Sequence, residues 1–332
     1  MNKNLTFNEI FNEYIEDKKE NWKMSTYRRT CQYYYQIKPY LGNKVINDIT
    51  RDELNDWRNK LIHSSLSSIT LSHDYFLLRA LYKYNLLYHR GKVNKAIEYL
   101  KPFTSDPNRI IDLDVKYKYW SKEDTIRFIK ECNKLHAENL HNKYYHGGFL
   151  ACKIIVALCV FAGLRLGEAT ALQVKDLIYS KGSNQYSIKI TKTKGITHKI
   201  DDENYLTSPK SKSSIRIVPI PDILRDILLE VKNRDDVDEN CFFSSGKKYT
   251  SSDFIKRIKR KVEENLKIEH IRMHDLRHTY VHSLYANSVP THLVSKYLGH
   301  ANEDVVINEY LHFDEESKHE VTDKLNEYYK DY

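Results

Sequence analysis

Glycine is scarce in this chain, with 10 residues in 332, and proline scarcer still at seven. So little of either excludes collagenous and Gly/Pro-rich low-complexity architectures. The five cysteines (Cys31, Cys132, Cys152, Cys159, Cys241) are odd in number and form no CxxC pair. That argues against a disulfide framework or a cysteine-bound zinc and fits a reducing cytoplasm. No apolar run of signal-peptide length stands at Met1-Asn2-Lys3-Asn4-Leu5-Thr6. The longest apolar stretch, Phe149 to Leu164, is interrupted by Lys153 and is too short to span a bilayer comfortably. It is expected as a buried core helix. A large charge excess is missing too. Fifty-three Lys+Arg against 45 Asp+Glu leave +8, a surplus that admits a polyanionic partner without naming one.

What is present is enough for a real core. Hydrophobic residues reach 41%, which argues against wholesale disorder, and the length suits two domains. Phe7, Ile10, Phe11, Tyr14 and Ile15 recur at helical spacing as one apolar stripe. A second helix is expected from about Ser25 to Leu41, stopping at Gly42. Thr50 and Glu53 read as a capping box opening a third, and a fourth covers Ile69 to Tyr88. Four helices with short connections suggest a bundle over residues 1–100. Lys23, Arg28, Arg29, Lys83, Arg90, Lys92 and Lys95 could line a DNA-facing side of it, or be solvated surface. Residues 101–118, with Pro102 and Pro107 among polar neighbours, read as a linker.

A second domain is expected over residues 119–332. Ser121 and Asp124 cap a helix over Lys122–His136, and Gly163 stops another over Gly148–Ala162. Tyr186–Ile190 and Ile215–Ile220 alternate as strands of a small sheet. Helices return at Asp222–Lys232, Ser252–Leu266, Asp275–Ala286 and Thr291–Tyr297, with short ones around Asp304–Leu311 and Glu316–Tyr329.

Three segments of that domain carry chemistry: Ala162-Gly163-Leu164-Arg165-Leu166-Gly167-Glu168, Met273-His274-Asp275-Leu276-Arg277-His278-Thr279, and Leu298-Gly299-His300 followed by Tyr310. Cleaving a DNA phosphodiester without a metal needs cations on the non-bridging oxygens, a nucleophile that loses a proton, and a proton for the departing oxygen. Arginine meets the first need with a planar, always-charged fork, and Arg165 and Arg277 are the candidates. Arg165 could instead be spent on a structural salt bridge with Glu168. Tyr310 is the candidate nucleophile; a phenol with a pKa of about 10 attacks only when cations surround it. His274 and His300 could hydrogen-bond the phosphate and move protons. A rival use is zinc, because His270, His274 and His278 follow one another at i, i+4, i+8. Lys210 or Lys212, on the turn Thr207–Ser214, could protonate the leaving oxygen, and spacing does not separate them.

In combination these segments resemble the tyrosine recombinases, also called the phage-integrase family, and most closely integrases of phages and integrative elements. The likeness spans nearly the whole chain. It implies a mainly α fold with a small antiparallel β-sheet: an N-terminal helical core-type DNA-binding domain and a mixed α+β catalytic domain, closing as a C-shaped clamp on the duplex. It implies that Arg165, Arg277 and His300 stabilise the transferring phosphoryl group, that His274 assists proton transfer, and that Glu168 braces the site. Ser208-Pro209-Lys210-Ser211-Lys212 is similar to the family's hairpin lysine motif, which favours Lys210 as general acid. Tyr310 would be left as a 3′-phosphotyrosyl link beside a free 5′ hydroxyl, with exchange through a Holliday junction. No cofactor and no metal are expected. The partners implied are double-stranded DNA recombination sites and a homotetramer on two such sites, with an accessory DNA-bending or directionality factor admitted and no membrane; the location is the cytoplasm, at the nucleoid. The tail Glu316–Tyr332 is expected to pack on a neighbouring protomer. Two departures are mild: Ser288 stands where a glycine is frequent, and Ala162 where threonine is. Many integrases of this kind carry an extra N-terminal domain for arm-type DNA sites; here the core-binding helices are expected to begin almost at Met1, so either only core sites are used or the arm domain is absent from this chain. Two alternatives share the residue set or the scaffold: a type IB topoisomerase-like nicking-closing enzyme and a catalytically idle DNA-binding regulator.

Overall fold

The computed structural model describes residues 4–62, 68–89, 91–102, 118–142, 147–194, 206–209, 211–244, 246 and 251–299. The chain divides into two compact units, Met1–Leu113 with Ile196–His198 and Asp114–Gly195 with Lys199–Tyr332. The fold is mainly α with a small antiparallel sheet.

The first unit is built on Phe7–Lys19 (α1), Met24–Leu41 (α2), Arg51–Ile62 (α3) and Ser68–Tyr88 (α4), with the single turn Lys95–Glu98 (α5) beside them. Three of these starts have a local cause. Glu9 N donates to Thr6 Oγ1 at 3.2 Å while Thr6 N donates to Glu9 Oε2 at 2.8 Å, a reciprocal cap that opens α1. Thr50 and Glu53 repeat the device for α3, as their spacing predicts. The apolar stripe buries Phe7, Ile10, Phe11 and Ile15. Tyr14 leaves it: its ring is half-buried and stands edge-on to Trp22 and Tyr84. The turn α5 has no helical periodicity in sequence. Asn94 makes it, accepting from Ala96 N at 2.9 Å while its amide donates to Ile46 O and Ile49 O.

One carboxyl is out of place in this core. Asp74 is fully buried on α4, and burial pushes its pKa up to about 7. Gln36 of α2 offers it an amide nitrogen at 2.9 and 3.0 Å, in the amide orientation that satisfies both groups. In the unfolded chain this carboxyl ionises near 3.8, so between that value and 7 the folded state keeps a proton the unfolded state has lost. Its contribution to stability therefore falls as pH rises through that window. Asp74→Asn should be close to neutral at pH 4 and stabilising by on the order of 2 kcal/mol at pH 8. Melting the two proteins across that range checks it; a gap that does not widen with pH refutes it.

The second unit forms around Gly148–Ala162 (α7), which is buried on almost every side. Lys122–Glu138 (α6), Leu166–Ala171 (α8), Asp222–Lys232 (α9), Ser252–Leu266 (α10) and Asp275–Ala286 (α11) all pack against it. Lys153 does not break this helix: its stem is buried and its amine reaches Glu230 at 3.2 Å. Leu177–Ser180 (β1), Gln185–Ile190 (β2) and Arg216–Pro219 (β5) make an antiparallel sheet in the order β1-β2-β5. Ile188 lies opposite both Leu177 and Val218, so the buried face is continuous across the strands. Thr193–Lys194 (β3) pairs with Leu206–Thr207 (β4) as a separate short ribbon. Thr291–Leu298 (α12) closes the described chain near β5 and α11. Between α11 and α12, Ser288 adopts φ +55°. That left-handed conformation is the physical reason a glycine would suit this position. The helices expected around Asp304–Leu311 and Glu316–Tyr329 lie outside the described residues.

Candidate active site

Arg165 stands at the end of an apolar helix because Gly163 turns the chain there. Gly163 ends α7 at φ +62°, and a Cβ on it would lie 2.4 Å from the Tyr280 ring. Glycine is thus required twice, for the left-handed turn and for the close approach of α11. Two residues on, Arg165 is extended and α8 begins. Its backbone N–H donates to Glu168 Oε2 at 2.9 Å and its guanidinium Nη1 to Glu168 Oε1 at 3.0 Å. The salt bridge that the sequence offers as a rival use of Arg165 is therefore made. It does not consume the residue, because 38% of the side chain faces solvent while Glu168 keeps 4%.

Glu168 has a stronger partner. Arg216 on β5 donates from Nη1 to Oε1 at 3.1 Å and from Nη2 to Oε2 at 2.9 Å, a bidentate pair with both side chains buried. Burial alone would raise the Glu168 pKa; the hydrogen bonds and charge of Arg216, then those of Arg165, outweigh it and hold the carboxyl below its ordinary value. Arg216 was not singled out as a site residue on sequence grounds. The signal was present: it alternates with Val218 on the inward face of its strand, and arginine is almost never buried there unless paired.

Arg277 is the second cation. It sits in the first turn of α11, 4% exposed, with Nη1 donating to Gly163 O at 2.7 Å and Nη2 to Leu298 O at 2.6 Å. The bond to Gly163 ties the two arginine motifs, 114 residues apart in sequence, into one place. His274 is the cap residue of the same helix and keeps contact with solvent. Loss of hydration against the protein, then the charges of Arg277 and Arg165, lower its pKa, with Asp275 opposing. The shift favours its neutral imidazole, which is able to accept a proton. His278 packs edge-on to it at 5.4 Å, and burial followed by His274 pushes its pKa down to about 4.

The zinc reading fails at its first member. The helix begins at Asp275, so His270 lies outside it, with Nδ1 2.7 Å from Glu263 Oε2. Among the described residues no group of three His, Cys, Asp or Glu could hold a metal ion. Glu263 belongs to a different task. With Lys259, also buried, it clamps Ile271: Lys259 Nζ donates to Ile271 O at 2.6 Å, and Ile271 N donates to Glu263 Oε1 at 3.3 Å. That pair fixes the loop three residues before His274.

Arg165, Glu168, His274 and Arg277 are thus brought together, with Arg216 behind them. Lys210, His300 and Tyr310 lie outside the described residues, and of Lys212 only the backbone is described, in the 3-10 turn Lys212–Ser214. The family model described as "Phage integrase family" matches residues 122–317, the span that contains every candidate residue of this site.

The chain belongs to the phage integrase family. A second model, the phage integrase N-terminal SAM-like domain, matches residues 6–62 of this integrase-family chain. The ICEBs1 integrase of Bacillus subtilis (strain 168) is 27% identical over 335 residues, covering 92% of this chain and 82% of that protein. Among solved structures, the Tn1549 transposon integrase in complex with transposon right-end DNA shares the fold at a TM-score of 0.65 and 17% identity, over 92% of this chain and 94% of that one. A lambda integrase tetramer bound to a Holliday junction matches at 0.61 and 13% identity, over 90% and 78%. The chain is a site-specific DNA recombinase, an enzyme that breaks and rejoins DNA. Among the described residues no helix is long and apolar enough to cross a membrane.

Proposed function

We propose that this recombinase cuts by attack of the Tyr310 hydroxyl on the scissile phosphate, leaving a 3′-phosphotyrosyl link and a free 5′ hydroxyl. Arg165 and Arg277 bind the non-bridging oxygens, joined by His300, and lower the cost of charge redistribution in the transition state. His274 assists removal of the phenolic proton, and Lys210 protonates the leaving oxygen. Glu168 orients Arg165. The bond energy is kept in the covalent link, so rejoining needs no nucleotide cofactor. The observation that carries this reading is the bridge from Arg277 to Gly163, which joins two arginine motifs beside His274.

The domain assignment follows the same reading. Residues 1–100 act as the core-type DNA-binding domain, consistent with the SAM-like match. Residues 101–118 serve as linker, and 119–332 as the catalytic domain with its tail helix. The two domains clamp the duplex mainly through phosphate contacts, with base contacts adding specificity. The working assembly is a homotetramer on two DNA sites, which the lambda integrase tetramer supports. That complex works at the nucleoid and leaves room for an accessory DNA-bending or directionality factor.

The test uses a duplex spanning the junction between the parent element and its flanking DNA, nicked near the cut so that rejoining is blocked. Incubation should trap a covalent protein–DNA adduct at a 3′ phosphate with a free 5′ hydroxyl opposite. Trapping at a 5′ phosphate, or no adduct at all, would refute the proposal.

A further inference from the structure

Three segments of the site end on one buried guanidinium. Arg216 holds both oxygens of Glu168, and through Glu168 it touches the Arg165 motif. Its Nη1 also reaches Ser214 O at 3.1 Å, closing the turn that follows the hairpin lysine segment. Its Nε donates to Tyr297 O at 2.6 Å. The next carbonyl, Leu298 O, takes Nη2 of Arg277. Two guanidinium groups therefore sit on consecutive carbonyls at the C-terminal, negative end of α12. Gly299 leaves that end at φ +68°, so close to the hairpin turn that a Cβ would meet Ser213 O at 2.9 Å. The chain then runs on toward His300 and Tyr310.

We propose that Arg216 is a positioning residue for strand cleavage: it shares the Glu168 charge so that Arg165 stays available to the phosphate, and it fixes the end of α12 from which His300 follows. This rests on the recombinase reading given above. The physical argument concerns a carboxylate 4% exposed with two cationic partners. Take Arg216 away, and the buried charge is left with Arg165 as its remaining guanidinium. A buried carboxylate in that position either tightens on the cation it has or takes up a proton. Tightening draws the Arg165 guanidinium inward, away from DNA. Neutralising Glu168 as well should release Arg165 again. A residue that only filled space would behave in the opposite way, since two core substitutions side by side would each cost activity.

The test compares the full chain with Arg216→Lys, Arg216→Met and the double variant Arg216→Met/Glu168→Gln, using the nicked junction duplex and single-turnover adduct formation, with duplex binding and melting measured alongside. Binding should stay within about threefold of wild type, because the change is in positioning and not in phosphate charge. Arg216→Lys should cleave ~10-fold more slowly and Arg216→Met ~100-fold more slowly at pH 8, the range expected when a preorganised donor is displaced. The double variant should cleave ~10-fold faster than Arg216→Met, a coupling of opposite sign to additive damage. Lowering the pH from 8 to 6 should bring Arg216→Met closer to wild type, as Glu168 takes up a proton. The proposal is overturned if Arg216→Lys cleaves within about twofold of wild type, or if the double variant is no faster than Arg216→Met. Should Arg216→Met not fold, the double variant has no unpaired buried charge, and a folded but inert double variant overturns the proposal. Arg216→Lys decides if neither methionine variant folds. A wild-type protein that forms no adduct refutes the recombinase reading and this proposal together, whereas a wild-type adduct with unaffected Arg216 variants refutes this proposal alone.

Discussion

Phenylalanine at position 310 is expected to abolish the covalent adduct on a nicked duplex while leaving duplex binding within about twofold of wild type. The substitution removes one oxygen and keeps the ring, so any packing role survives and nucleophilic attack does not. The chain has 26 tyrosines, and the prediction must exclude the others. Tyr280 is one rival beside the described site, packed on Gly163. It is 5% exposed, and burial pushes its pKa up to about 12, so its hydroxyl is both inaccessible and hard to ionise. Tyr280→Phe should accordingly retain adduct formation. Adduct persisting in Tyr310→Phe means that another hydroxyl attacks, and peptide mapping of the adduct identifies it.

Arg277→Met should reduce adduct formation by roughly 10³-fold and stability by about 2 kcal/mol, the first from the lost transition-state cation and the second from two buried carbonyls left without a donor. Gly163 O and Leu298 O both lie on segments that carry site residues, so the loss loosens Arg165 and the chain toward His300 together. Arg277→Lys keeps the charge, but a single amine cannot span two carbonyls and still face a phosphate. It should recover most of the stability and less than a tenth of the cleavage rate. Single-turnover trapping and thermal melting separate the two effects. Arg277→Met that cleaves within about tenfold of wild type would remove Arg277 from the phosphate-binding set.

Helices were legible wherever an apolar period met a capping residue. The box at Thr50 and Glu53, the cap at Ser121 and the stop at Gly163 all act through bonds within a few residues, so the local sequence contains their cause. Two elements not anticipated take support from residues distant in sequence. The single turn α5 is held by an asparagine reaching the carbonyls of Ile46 and Ile49. The strand β1 is only four residues long and takes its place from pairing with β2. The zinc reading of His270, His274 and His278 needs all three on one helix, and α11 begins at Asp275, where its sequence bounds already place it.

By itself the sequence determined the kinds of chemistry on offer: two arginines, their histidine companions and a tyrosine, in a combination whose family membership the match over residues 122–317 establishes. Side-chain type fixes charge, proton capacity and nucleophilicity, and those are properties of a residue wherever it sits. Only the tertiary structure decided how the described groups are supported. Gly163 O and Leu298 O accept from one guanidinium, and Glu168 is shared between Arg165 and Arg216, because α7, α8, β5 and α12 converge there. Hydrogen bonds and ion pairs depend on distances between groups far apart in the chain, and those distances are set by packing around α7 and not by any pattern along the sequence.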